Sequence, residues 1–188
     1  MLVVEDDEND EILLRRAFDE CGHDIPLQFV RDGQQAIDYL NGDGPYADRA
    51  HYPLPTLILL DLKMPRLSGF DVLRWLRAQP VFAGLPVIVL SGSMWPGDID
   101  EAYRLGANSY LIKPAKRQEL IEIAQMASTY WFCMNLGSRH AGSTAAVNGS
   151  PPASVESRSS SVKQNTTTTC FITGRTIVTN SDGAVNNW

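Results

Sequence analysis

The chain has 188 residues, 44% of them hydrophobic, which is enough apolar material for one ordinary domain with its own core, and a formal net charge of -6. That charge is uneven, with twelve Lys and Arg against twenty Asp and Glu in residues 1–135 and four against two in the remainder, so no basic stripe suited to duplex nucleic acid is present. Three widely spaced cysteines without a CxxC pair exclude a disulfide framework or zinc site, and no apolar stretch approaches the roughly 20 residues of a membrane span.

The N-terminus lacks the basic-then-apolar order of a signal peptide, and a reduced cytoplasmic setting is expected. Leu2-Val3-Val4 is a short apolar run that ends in Glu5-Asp6-Asp7. A helix is predicted near Glu8 to Cys21, with Leu14, Ala17, Phe18 and Cys21 on one stripe. Leu27 to Val30 reads as a shorter, partly alternating edge strand. Gly33, Ala36, Ile37 and Leu40 repeat the helical spacing, and Gly42 to Pro55 is too rich in Gly and Pro to be anything but a long surface loop. Leu57-Ile58-Leu59-Leu60 then runs into Asp61, and Gly69, Val72, Leu73 and Leu76 form the third helical stripe. Val87-Ile88-Val89-Leu90 ends in Ser91, Ile99, Ala102, Tyr103 and Gly106 mark a fourth helix, and Tyr110-Leu111-Ile112 ends in Lys113-Pro114. Leu120, Ile123, Ala124 and Ala127 mark the fifth.

Strands alternating with helices predict stacked βαβ units. The expected fold is α/β: a doubly wound, five-stranded parallel sheet in the flavodoxin-like order 2-1-3-4-5, with helices on both faces. In such sheets ligands bind outside the carboxyl ends of the strands. Four apolar runs here end in acids, a hydroxyl and an ammonium, so those groups are expected at one edge.

If Glu5, Asp6 and Asp61 converge, their mutual repulsion requires a cation, and hard oxygens beside phosphate chemistry favour Mg²⁺. An ionised Asp61 could then attack a phosphoryl group, with Lys113 supplying positive charge and Ser91 a hydrogen bond to its oxygens. Taken singly, each residue has a plainer reading. Asp61 alone could cap a loop, Lys113 is an ordinary surface charge and Ser91 a turn hydroxyl. Glu5-Asp6-Asp7 could be an acidic first turn favoured by the helix dipole, which is the reading for Asp7 in any case.

Val4-Glu5-Asp6-Asp7, Leu60-Asp61-Leu62-Lys63-Met64-Pro65, Ser68-Gly69, Ser91-Gly92 and Lys113-Pro114 together resemble the receiver domain of two-component response regulators. The likeness covers about residues 1–132. It implies that Asp61 is the phosphoacceptor, that Asp6 and Asp61 bind Mg²⁺ directly, that Glu5 acts through water and that the Lys63 carbonyl completes the ligands. It also implies Tyr110 as a switch aromatic, Lys113 as the conserved-type lysine of the site and a cis bond before Pro114. The phosphodonor would be a sensor histidine kinase, and the output a protein contact with a downstream partner, without DNA or membrane. A homodimer is left open. The Gly42 to Pro55 insertion and Tyr130-Trp131-Phe132 are similar to single-domain regulators that partner bacterial phytochromes.

Two rivals are distinguishable. An aspartate-nucleophile phosphatase of haloacid dehalogenase type wants a second acid two positions after its nucleophile, where Lys63 stands. A degenerate receiver, binding partners without phosphorylation, is at odds with the intact acid set. Residues 133–188 are expected to be a low-complexity tail, mostly disordered from about 137, since Ser, Thr, Gly and Asn cannot bury enough apolar surface to offset ordering. Within it, Cys170-Phe171-Ile172 and Thr176-Ile177-Val178 could pair as a hairpin.

Overall fold

A computed structural model describes residues 1–135, together with Thr166–Cys170 and Arg175–Thr179. Strands β1 (Leu2–Val4), β2 (Gln28–Val30), β3 (Ile58–Leu60), β4 (Val87–Ser91) and β5 (Ser109–Ile112) alternate with helices α1 (Glu8–Glu20), α2 (Gly33–Asn41), α3 (Gly69–Ala78), α4 (Pro96–Arg104) and α5 (Arg117–Ser128). The sheet is parallel throughout, in the expected order β2-β1-β3-β4-β5. Its three central strands are buried on both faces, which is why their sequences are continuous apolar runs rather than alternating ones.

Two cores lie on opposite faces of the sheet. Leu2, Val4, Ile58, Leu60, Val87 and Val89 pack with the buried stripes of α2 and α3. Val3, Leu57, Leu59, Ile88 and Leu90 pack with Leu14, Ala17 and Phe18 of α1 and Leu120, Ile121 and Ala124 of α5. Period-2 alternation within one strand thus feeds both layers.

The stripes of α1 and α3 fall where the spacing places them. In α2 the fully buried aromatic is Tyr39, and Ile37 is only half-buried. Helix α4 departs further: Asp98 and Ala102 are its buried residues, while Ile99 is half-buried and Tyr103 exposed. The reason is positional. Strand β5 is an edge strand, and the Tyr103 hydroxyl accepts the Tyr110 backbone N–H at 3.2 Å, so Tyr103 lies over the sheet edge instead of entering the core.

The Gly42–Pro55 segment is more structured than a plain surface loop. Gly42 ends α2 in the left-handed conformation with φ 80°, and a 3-10 turn follows at Gly44–Tyr46. Tyr46 packs tilted and Tyr52 edge-on against Tyr39, whose hydroxyl donates to the Pro53 carbonyl at 2.8 Å. The Arg49 guanidinium donates to the Tyr39 and Leu40 carbonyls, each at 2.7 Å, satisfying acceptors that a helix end leaves unpaired.

Helix α5 runs on into a π-helical turn, Thr129–Met134. Thr166–Cys170 (β6) pairs antiparallel with Arg175–Thr179 (β7), Cys170 opposite Arg175. A hairpin therefore forms, but its first strand ends at Cys170 rather than beginning there. The remainder of the expected tail lies outside the described residues.

Candidate functional site

The strand register carries the site. Leu2 pairs with Ile58 and Val4 with Leu60, so Glu5 and Asp61 leave the sheet side by side, and the Asp61 N–H donates to the Val4 carbonyl at 3.0 Å. Glu5, Asp6 and Asp61 bring carboxylate oxygens within 4.8 Å of one another. Glu5 and Asp61 are buried, at 3% and 7% exposure, and Asp6 is half-buried. Asp7 points elsewhere: it caps α1, accepting the Asn9 N–H at 2.7 Å, as its plainer reading has it.

Lys113 arrives from the end of β5. Its Nζ lies 2.6 Å from Glu5, 2.8 Å from Asp61 and 2.8 Å from Asp10. The Lys113 N–H continues the strand ladder by donating to the Ser91 carbonyl at 2.9 Å. The bond to Pro114 is trans, since the described backbone contains no cis peptide, which corrects the cis expectation. An X–Pro bond prefers trans by only about 0.5–1 kcal/mol, so the surrounding loop decides the isomer, and in the trans form the ammonium already reaches all three acids.

Burial pushes the Glu5 carboxyl up to about 7, against the pull of the adjacent Lys113 ammonium. Burial disfavours the charged form of Lys113 as well, but its hydrogen bonds to Asp10, Asp61 and Glu5 outweigh that cost and raise its pKa. One ammonium thus faces three carboxylates, with Asp6 beside two of them, so the acids remain in excess of it.

Asp61 is held by its own loop. One carboxylate oxygen accepts the Leu62 N–H at 2.6 Å and the Lys63 N–H at 3.3 Å, leaving the other for Lys113. Helix α3 begins immediately behind it, with Ser68 as N-cap and Asp71 completing a capping box. Gly69 is required there because a Cβ would sit 2.2 Å from the Asp61 carbonyl oxygen. Ser91 ends β4 fully buried, and its hydroxyl is without a hydrogen-bond partner among the described residues. Ser91 stands at the end of the strand next to β3, which delivers Asp61. Tyr110 is half-buried on β5, and its hydroxyl donates to the Ser93 carbonyl at 2.9 Å.

Two site neighbours escape sequence reasoning. Asp10 reads as one more acid in the first turn of α1, but four residues after Asp6 it turns back toward Lys113. Asp98, in the first turn of α4, binds the Lys63 ammonium at 2.8 Å and accepts the Ser93 hydroxyl at 2.5 Å. Its position at the start of a helix is the only signal the sequence offers.

A family model described as the response regulator receiver domain matches residues 1–125. The chain belongs to this family. Rcp1, a response regulator of Synechocystis, is 33% identical to this receiver domain over 131 residues, 70% of this chain and 87% of Rcp1. The solved response regulator of red light signalling in R. palustris is 39% identical with a TM-score of 0.69, covering 72% of this chain and 95% of that one. The phosphorylated cyanobacterial phytochrome response regulator RcpA is 33% identical with a TM-score of 0.67, covering 73% and 96%. The Mn(2+)-bound form of Rcp1 has also been solved, at 32% identity and a TM-score of 0.65, covering 72% and 96%. The protein is accordingly a receiver-domain signalling protein, a phosphorylation-dependent switch rather than a classical enzyme. The phosphatase reading is disfavoured, and the receiver fold is that expected from the strand and helix order. Among the described residues no helix is long and apolar enough to cross a membrane.

Proposed function

We propose that Asp61 accepts a phosphoryl group from a phosphohistidine on a sensor kinase, and that the modified domain changes its protein contacts. The observation that supports this most is the convergence of a nucleophilic carboxylate, a lysine ammonium and an unpaired buried hydroxyl at three adjacent strand ends. The Asp61 oxygen attacks phosphorus, the bond from phosphorus to the donor imidazole breaks with its electron pair staying on nitrogen, and the ring then takes up a proton. Lys113 balances charge on the transferring oxygens, and the Ser91 hydroxyl donates to one of them.

Three carboxylates within 4.8 Å, in excess of the single lysine, form a hard-oxygen set suited to Mg²⁺. Asp6 and Asp61 would hold the ion directly, Glu5 through water, with the Lys63 carbonyl as a further ligand. When bound, the ion neutralises charge on the phosphoryl oxygens. The solved Rcp1 with Mn(2+) supports a divalent site in a relative.

The readout runs from Ser91 to Tyr110: as the hydroxyl engages the phosphoryl oxygen, the packing around the aromatic shifts, and the β5 edge with α4 and α5 presents a different surface. Met94 and Trp95 are already exposed there, Trp95 at 68%, suiting that face to a downstream protein or a second copy of this chain rather than to DNA or membrane. The kinase is of phytochrome type in this reading, supported by the cyanobacterial phytochrome and red-light regulators among the relatives. The setting is cytoplasmic, and residues 133–188 are a tail outside the switch. Intact-mass spectrometry after incubation with acetyl phosphate and Mg²⁺ should show about one added phosphoryl group per chain, none in D61N and none after chelation. Labelling that survives D61N would overturn the assignment.

A further inference from the structure

Asp10 is the third residue of α1, a position from which an acid commonly reaches back to the backbone N–H of the N-cap residue. Asp71 does so at the same position of α3, accepting the Ser68 N–H at 3.1 Å. Asp10 does not. The N-cap N–H of α1, that of Asp7, is taken by Glu5 at 3.3 Å, and the Asp10 carboxylate instead receives the Lys113 ammonium at 2.8 Å, its one side-chain partner among the described residues. The pair borders a small cleft of about 30 Å³ whose other walls are Leu13, Leu14, Leu90, Pro114 and Leu120. Helix capping therefore does not account for where this carboxylate points.

Lys113 has three N–H donors and three carboxylates around it, Glu5 at 2.6 Å and Asp61 and Asp10 at 2.8 Å. The three acids are not equivalent. Glu5 and Asp61 belong, with Asp6, to the group whose oxygens lie within 4.8 Å of one another, and Asp10 stands outside it. The side chains of Glu5 and Asp61 are 2% and 7% exposed, whereas that of Asp10 is 36% exposed and binds the ammonium from the solvent side.

We propose that Asp10 is a positioning residue for Lys113, retaining the ammonium at the edge of the site when Glu5, Asp6 and Asp61 commit their oxygens to a divalent ion. The inference rests on those three acids being the ion's ligands. In the ion-free protein Asp10 is one partner of three, and its removal leaves the ammonium paired with Glu5 and Asp61. Once those two are committed, Asp10 is the last partner, and its removal leaves a largely buried ammonium unpaired, which is the costly case. Asp10 thus favours the ion-bound form through Lys113. It also keeps the ammonium, a compact charge on a flexible stem, beside Asp61 and ready for the oxygens of an arriving phosphoryl group.

Mn²⁺ serves as the probe, its free concentration read by electron paramagnetic resonance in solutions of the full, unphosphorylated chain. KCl at about 0.5 M screens exposed charges more than about 4 Å apart, which suppresses a direct pull of Asp10 on the ion. D10N should weaken Mn²⁺ binding roughly threefold to fivefold, the scale of a partly exposed ion pair, and D10E should restore it. K113M should tighten binding by removing a competing cation, and in that background D10N should change the affinity by less than about twofold. An equal D10N effect in both backgrounds would mean that Asp10 acts on the ion or on the fold rather than on Lys113, and overturns the proposal. So does an affinity that D10N leaves unchanged in the unsubstituted background. K113Q provides a second neutral background, with the same outcomes, if K113M does not fold. Mn²⁺ binding that D61N leaves intact would instead refute the three acids as the ion's ligands, and this role for Asp10 with them.

Discussion

Helices α3 and α4 flank the same strand ends but are anchored by different means. Helix α3 enters behind Ser68 with a reciprocal cap, seats Gly69 against the Asp61 carbonyl and buries Val72, Leu73 and Leu76 completely. Helix α4 enters behind Trp95 with no side-chain cap, buries only Asp98 and Ala102, and leaves Met94, Trp95 and Tyr103 exposed. Few buried apolar contacts and a polar tie mark the end of the stability range from which moving elements are drawn. On the proposed reading the two helices have separate tasks: α3 fixes the Asp61 loop, and α4 responds to its modification.

The largest expected effect lies in α3. L76A should cost about 2–5 kcal/mol in a urea titration, the range for truncating a fully buried leucine, whereas W95A should stay within about 0.5 kcal/mol. Comparable losses at the two positions would erase the distinction between a packed helix and a tethered one.

A smaller effect belongs to the α3 cap. S68A should cost about 1 kcal/mol. The Ser68 hydroxyl and backbone N–H, with Arg74 nearby, hold the Asp71 carboxyl below the usual carboxylate range. A depressed folded value contributes stability that is complete above the ordinary range and lost as pH falls through the lowered one. D71N should therefore flatten the acid side of the stability profile in proportion to the cap's share, while an unaltered profile would mean that the cap holds no charge-dependent stability.

Much of this was legible in the sequence, and for physical reasons. A both-faces-buried parallel strand must be continuously apolar, so β1, β3 and β4 declare themselves, and the first charged or hydroxyl residue after each marks the edge where Glu5, Asp61 and Ser91 meet. The stripes of α1 and α3 were equally plain because both helices bury one full face. Helix α4 is legible as a helix but its buried stripe is not, since apolar spacing cannot tell that β5 is an edge, where Tyr103 covers exposed backbone. Asp10 and Asp98 were missed because an acid in the first turn of a helix already has a sufficient reason in the dipole. Only the fold reveals that each also faces a lysine.

The central claim is that charge arriving at Asp61 is read out by α4 and not by α3. Hydrogen exchange measured by mass spectrometry, with and without excess acetyl phosphate and Mg²⁺, tests it directly. Faster exchange across Ile99–Leu105 with Leu73–Ala78 unchanged is the predicted result. Faster exchange in α3 with α4 unchanged, or no change in either while the chain carries its phosphoryl group, would contradict it.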